Sequence, residues 1–138
     1  MSCVWEALLY ALNLDIKPIM LLEKLKRENV KTVDVEWNGE KLSEQQLDEN
    51  YKRIQALTYK DIPDGYLCSA CEPLLFLISQ IFCVSIEHDY LNNTIEYTNV
   101  NADKRKIYFG SDSVHFYADK RKTKKYKKMM RNNKQIKN

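Results

Sequence analysis

Val4, Leu8, Leu9 and Leu12 recur at helical spacing behind Cys3, with Ala7 and Ala11 filling in between them. That period places them on one face and predicts a helix over about residues 3–13. The stretch NLDIKP interrupts the pattern. Pro18, tolerated in the first turn of a helix, opens a second one whose apolar face takes Ile19, Met20, Leu22 and Leu25, as far as about Glu28. In KTVDVEW the period changes to two. Val33, Val35 and Trp37 alternate with polar residues, as in a short strand with one buried face, and NGE reads as a turn. Ser43, with Gln46 three residues on, has the form of a capping box and starts a third helix striped by Leu47, Tyr51, Ile54 and Leu57. KDIPDGY is a loop punctuated by Pro63 and Gly65. Residues 72–82 are strongly apolar, and their length favours a buried helix over a strand. CVSIEHD alternates Val84 and Ile86, and TIEYTNV, KRKIYFG and SVHFYA look like three more strands, with turns at residues 92–93, 101–103 and 110–112. Helices come first and strands after, the order of an α+β domain with helices packed on a small antiparallel sheet.

A chain of 138 residues with 44% apolar content supports one domain with one modest core. Charge divides it in two. Residues 120–138 hold ten Lys or Arg and no acid, leaving 12 basic against 19 acidic residues, a net charge of −7, on residues 1–119. An acidic body over residues 1–119 and a basic tail over 120–138 follow. Like charges repel, so the tail is expected to stay unpacked and to be dispensable for folding. It can still meet RNA or an acidic surface through sequence-independent, salt-sensitive contacts. No apolar run approaches the ~20 residues of a membrane span, so no membrane contact is expected. No basic segment followed by an apolar stretch marks a secretory signal. The four cysteines are therefore expected as reduced thiols in a cytoplasmic protein.

Candidate chemistry begins at Cys3. A cysteine in the first turn of a helix meets unpaired N–H groups and the positive end of the helix dipole, which favour a thiolate. The plain alternative is a buried thiol, since free Cys is among the most buried residue types. The order of pieces then matters: a cysteine opening CVWEALLYAL, an aromatic-glycine loop leading to an early glutamate in GYLCSACEPLLFLI, the strand CVSIEHD, and a histidine beside an aromatic in VHFYA. Over residues 2–117 this resembles the ovarian tumour (OTU) family of papain-like cysteine proteases, especially its compact viral versions. The resemblance implies an OTU/papain-like fold with Cys3 as nucleophile and His115 as general base. Backbone N–H groups of Ser2 and Cys3 would serve the oxyanion, and no metal or cofactor is needed. It implies a protease cutting after a ubiquitin-like C-terminus, a deubiquitinase, or at a viral polyprotein junction. Its partners would be ubiquitin, a ubiquitin-like protein or a polyprotein, in the host cytoplasm if viral. The orienting third role is unfilled: Tyr117 stands two residues past His115, and Asp119, four residues on, lies ~13 Å away along a continuous strand. A catalytically inactive OTU-like binding module, its tail on nucleic acid or an acidic partner, is the alternative.

Other residues carry plainer readings. His115 can be a half-buried strand histidine, and His88, between Glu87 and Asp89, reads as an exposed turn residue. Cys68, Cys71, Cys83 and His88 have a formal zinc spacing, C-x2-C-x11-C-x4-H, but a long helix divides them. Ordinary core or loop cysteines fit better, and no βαβ context supports a redox pair. Glu72 suits a cap on the long helix, with a substrate contact as the other option.

Overall fold

The computed structural model describes residues 3–63, 66–112 and 115–124, and of Cys3 the backbone alone. Two helices lead, α1 (Cys3–Ala11) and α2 (Pro18–Arg27), the latter with Pro18 in its first turn. A hairpin of β1 (Val35–Trp37) and β2 (Glu40–Lys41) follows, turning at Asn38 and Gly39, both with positive φ. Next comes α3 (Glu44–Ala56), which starts at the capping box of Ser43 and Gln46. A 3-10 turn (Tyr59–Asp61) and a loop lead to α4 (Pro73–Phe82). Strands β3 (Ser85–Tyr90), β4 (Asn93–Asn99), β5 (Lys106–Ser111) and β6 (Phe116–Ala118) complete a six-stranded sheet in the order β2-β1-β4-β3-β5-β6.

Most elements fall where the apolar periods put them, and the differences have local causes. Val33 is 63% exposed. The Val35 N–H bonds Thr32 O and the Val33 N–H bonds Lys31 O, so the chain is still turning there and the strand starts at Val35. In α2 the buried residues are Leu21, Leu22 and Leu25, while Met20 lies outside. The hairpin between β3 and β4 turns on Leu91 and Asn92, both with positive φ, as a two-residue turn matched to strand twist requires.

The sheet is mixed, where an antiparallel one was expected. β4 lies between β1 and β3, antiparallel to both, so neither of its edges is open to β5. The loop after β4 carries the chain past the start of β3, where the Ser85 N–H bonds Arg105 O, and β5 pairs with β3 in parallel. β6 then adds antiparallel to β5 at the edge.

One face of the sheet is covered by helices. α4 lies under β1, β3 and β4, with Pro73 through Ser79 all buried, and α1 lies against β5 and β6. Leu8, Leu21, Leu25, Leu74, Leu75, Phe76, Leu77, Ile78, Ile86, Tyr97 and Phe109 form the core between them. Burying each such side chain contributes about 1.5–3 kcal/mol, enough in aggregate to order the layer. No helix among the described residues is long and apolar enough to cross a membrane.

The start of the basic tail is packed, against the expectation of an unpacked segment from residue 120. Residues 120–124 are helical. Asp119 caps them: its Oδ1 accepts the Lys122 N–H and its carbonyl accepts the Thr123 N–H. The Lys122 ammonium donates to Glu87 at 2.7 Å and Asp89 at 3.0 Å on the open face of the sheet, Thr123 is buried, and Lys120 sits over the Tyr10 ring. Opposite charge on the acidic body outweighs repulsion within the tail over these five residues. Residues 125–138 lie outside the described ones. Ending the chain after Asp119 should therefore lower Tm by several degrees, since ~1 kcal/mol moves Tm about 4 °C in a domain of this size. Ending it after Lys124 should recover that loss, and an unchanged Tm in the shorter chain would contradict the packing. Asp119→Ala, which removes the cap, should cost about 1 kcal/mol by chemical denaturation.

Candidate functional site

Cys3 is the first residue of α1, and His115 immediately precedes β6. Two contacts orient the helix on the strand. Tyr10, near the end of α1, meets Lys120, just past the end of β6. A cavity of about 190 Å³ groups Ala11 and Leu12 with Lys106 and Ile107 at the start of β5, and with Thr123. β5 and β6 are antiparallel, so the start of β5 and the end of β6 share one end of the sheet. α1 therefore runs alongside β6 in the same direction. Its N-terminus, with Cys3, is directed to the opposite end, where β5 finishes and His115 leads into β6. The side chain of Cys3, and Ser2 with its proposed backbone donor, lie outside the described residues.

That end of the sheet carries a cleft of about 520 Å³, lined by Asp89, Leu91, Asn92, Ser111, Asp112 and Tyr117. Tyr117 lies across the backbone of Gly110, its cross-strand partner, where an added Cβ would come within 2.6 Å of the ring. Glycine is what lets the tyrosine lie flat on the strand there.

His115 is not a half-buried strand residue. Its side chain is 66% exposed, and it immediately precedes β6. Asp112 and His115 are tied to each other: Asp112 Oδ1 accepts the His115 N–H at 2.7 Å, and the Asp112 N–H bonds His115 O at 3.0 Å. The same carboxylate oxygen lies 3.4 Å from His115 Nδ1. Asp119, too far along the strand from His115 for this role, caps the helical segment after β6. In the sequence Asp112 stands out only as a turn residue. The signal available was an Asp three residues ahead of a histidine, a spacing at which Asp folds back on the backbone.

His88 departs furthest from expectation. It is fully buried, on β3, with its ring among Tyr90 and Phe116 and its Nε2 2.7 Å from Ser111 Oγ. Alternation explains it: Ile86, His88 and Tyr90 share the covered face, while Glu87 and Asp89 point to the open one. Its Nδ1 has no hydrogen-bond partner among the described residues. Burial pushes its pKa down to about 4, so it is neutral at pH 7. It makes a poor base for Ser111. No group of three or more metal-binding side chains converges among the described residues.

Comparison of the chain with protein-family models, with curated proteins and with solved structures finds no match.

The loop before α4 borders the start of α1, since the Trp5 indole N–H, two residues past Cys3, donates to Asp61 O at 3.1 Å. Glu72 anchors the loop's far end. Its Oε2 accepts the Leu74 N–H at 2.9 Å and the Tyr66 hydroxyl at 2.7 Å, and its Oε1 accepts the Ser69 N–H at 2.9 Å. Its own N–H donates to Tyr97 Oη, which in turn bonds Ala70 O, the acceptor also for the Trp37 indole. Glu72 is thus the helix cap, buried and saturated with donors, and not a substrate contact. Burial raises its pKa, and the donors around it pull the other way. Burial, with the Glu72 charge second, also holds the Cys68 and Cys71 thiols above their usual range, so neither is a ready thiolate.

The low pKa of His88 makes stability pH-dependent. The unfolded chain binds a proton at its normal value of about 6.5, and the folded chain only near 4. Its contribution is thus complete above about pH 6.5 and is lost as pH falls toward 4. The loss should reach roughly 3 kcal/mol. Urea unfolding of wild type and His88→Leu across pH 4–7 should show a steeper acid loss in wild type. Parallel curves would show that His88 is not held neutral.

Proposed function

We propose that the chain is a cysteine peptidase of the OTU type, acting on a peptide or isopeptide bond after a ubiquitin-like C-terminus or at a polyprotein junction. Cys3 is the nucleophile and His115 the general base. One observation carries the reading. The helix that begins at Cys3 runs beside the strand that His115 precedes, so both residues start from the same end of the sheet. The two are 112 positions apart in sequence, and only the layer of α1 on β5 and β6 relates them.

The chemistry follows from the residue types. His115 takes the Sγ proton, and the thiolate attacks the carbonyl carbon of the scissile bond. N–H groups at the start of α1 stabilise the oxyanion, helped by the helix dipole. Collapse of the tetrahedral intermediate breaks the C–N bond while His115 returns its proton to the leaving amine, which leaves a thioester on Cys3. His115 then removes a proton from water, whose oxygen attacks the thioester and releases a carboxylic acid and the free thiol. An exposed histidine suits a polypeptide substrate, which must lie across the surface to be cut. Location in the cytoplasm, host cytoplasm if viral, belongs to the same reading.

A ubiquitin suicide probe with an electrophilic C-terminus should form a covalent adduct with the full chain. Cys3→Ala should abolish it, and His115→Ala should slow it at least a hundredfold, the usual size of a general-base contribution. Cys68→Ala and Cys71→Ala should react as wild type does. Non-covalent ubiquitin binding with no adduct would overturn the peptidase reading in favour of a binding module. Labelling that survives Cys3→Ala would overturn the assignment of the nucleophile.

A further inference from the structure

We infer that Asp112 is the positioning residue for His115, holding the imidazole with its proton on Nδ1 and its Nε2 free for the cysteine thiol. The inference rests on the peptidase reading. In the sequence the third role stood empty, with Tyr117 two residues past the histidine. Asp112 supplies it from the other side, three residues earlier, across the turn between β5 and β6.

Three features of the turn support the assignment. Asp112 and His115 are locked by reciprocal bonds: the His115 N–H donates to Asp112 Oδ1 at 2.7 Å, and the Asp112 N–H donates to His115 O at 3.0 Å. This fixes the backbone of the histidine relative to the carboxylate. The ring then comes back over the same oxygen, with Nδ1 3.4 Å from Oδ1. That is a few tenths of an ångström beyond a hydrogen bond, a gap of the size that substrate binding closes in unliganded sites. Finally, Asp112 lines the cleft of about 520 Å³. A polypeptide lying in that cleft would cover the carboxylate, lower the local dielectric and strengthen its hold on the ring.

The direction of the effect follows from the two ring nitrogens. A carboxylate is an acceptor only, so the nitrogen facing it carries the proton. With the proton on Nδ1, the lone pair is on Nε2, the nitrogen left to receive the thiol proton. When the thiolate–imidazolium pair forms, the same carboxylate stabilises the added charge. Neighbouring groups do not take over this work. Asp89, the other acid lining the cleft, is paired with Lys122 at 3.0 Å, and Asp119 caps the helical segment after β6.

The test separates the ring from the turn. Asn at position 112 still offers Oδ1 to the His115 N–H, so Asp112→Asn keeps the turn and removes the charge, while Asp112→Glu keeps the charge. Long-range nitrogen–proton NMR on the full chain reads the tautomer of neutral His115 without any substrate. Wild type should favour the Nδ1–H form. Asp112→Asn should lower the Nδ1–H to Nε2–H ratio about threefold, the size expected of an exposed charge pair, and Asp112→Glu should recover part of it. In parallel, iodoacetamide alkylation of Cys3 at pH 6.5, followed by mass spectrometry, should slow several-fold in Asp112→Asn with the His115 backbone amide shift unchanged. An unchanged tautomer ratio in Asp112→Asn overturns the assignment, even where alkylation still depends on His115. Alkylation indifferent to His115→Ala overturns the peptidase reading instead, and the NMR ratio then reports the Asp112–His115 contact by itself.

Discussion

The parallel pairing of β3 with β5 is the constraint on which the rest depends. Because β1 occupies one edge of β4 and β3 the other, β5 joins the far side of β3, and β6 becomes the edge strand there. Three consequences follow from that placement. Ile107 and Phe109 come onto the covered face beside Ile86 and His88, which extends the apolar surface far enough for α1 to lie on it. The ends of β3 and β5 and the start of β6 meet at one end of the sheet and frame the cleft there. And the turn carrying Asp112 and His115 stands at that same end. An all-antiparallel meander would take the start of β6, and His115 with it, away from the end of the sheet where α1 begins.

Much of the fold was legible because apolar periodicity reports burial directly. α1, α3 and α4 start where the spacing, the capping box and the Glu72 cap put them, and Val84, Ile86 and Ile95 face inward as alternation requires. What escaped depended on partners distant in the chain. Nothing local tells β5 that β1 has already taken an edge of β4. His88 looked exposed because its neighbours are acids, although alternation from Ile86 placed it on the inner face, and the ring chemistry that makes it tolerable there comes from Ser111, 23 positions on. The candidate site was half legible. Cys3 at a helix start and His115 beside an aromatic are local features. The carboxylate facing His115 Nδ1 is a product of turn geometry.

Electrostatics orders the edge of the domain. The open face of the sheet gathers Glu87, Asp89 and Glu96, and two lysines answer them: Lys106 from within the sheet and Lys122 from the segment after it. Each exposed pair contributes little, typically up to ~1 kcal/mol. Sharing Glu87 between two ammonium groups gives the start of the tail a defined place, which a count of its charges did not foresee. The loop before α4 is held by a different device, a buried Glu72 with donors on both oxygens. Together with the Trp5 indole bond to Asp61, it fixes the wall beside the start of α1.

The central claim is that Cys3 and His115 act as one acid–base pair, and the rate at which Cys3 is alkylated as a function of pH tests it most directly. Site-resolved mass spectrometry follows Cys3 apart from Cys68, Cys71 and Cys83. A thiol paired with imidazole at a helix N-terminus reacts as thiolate well below the ordinary thiol pKa of about 8.5, and His115→Ala should move that reactivity back toward it. A Cys3 that gains reactivity only near pH 8.5, with the same curve in His115→Ala, would contradict the pairing.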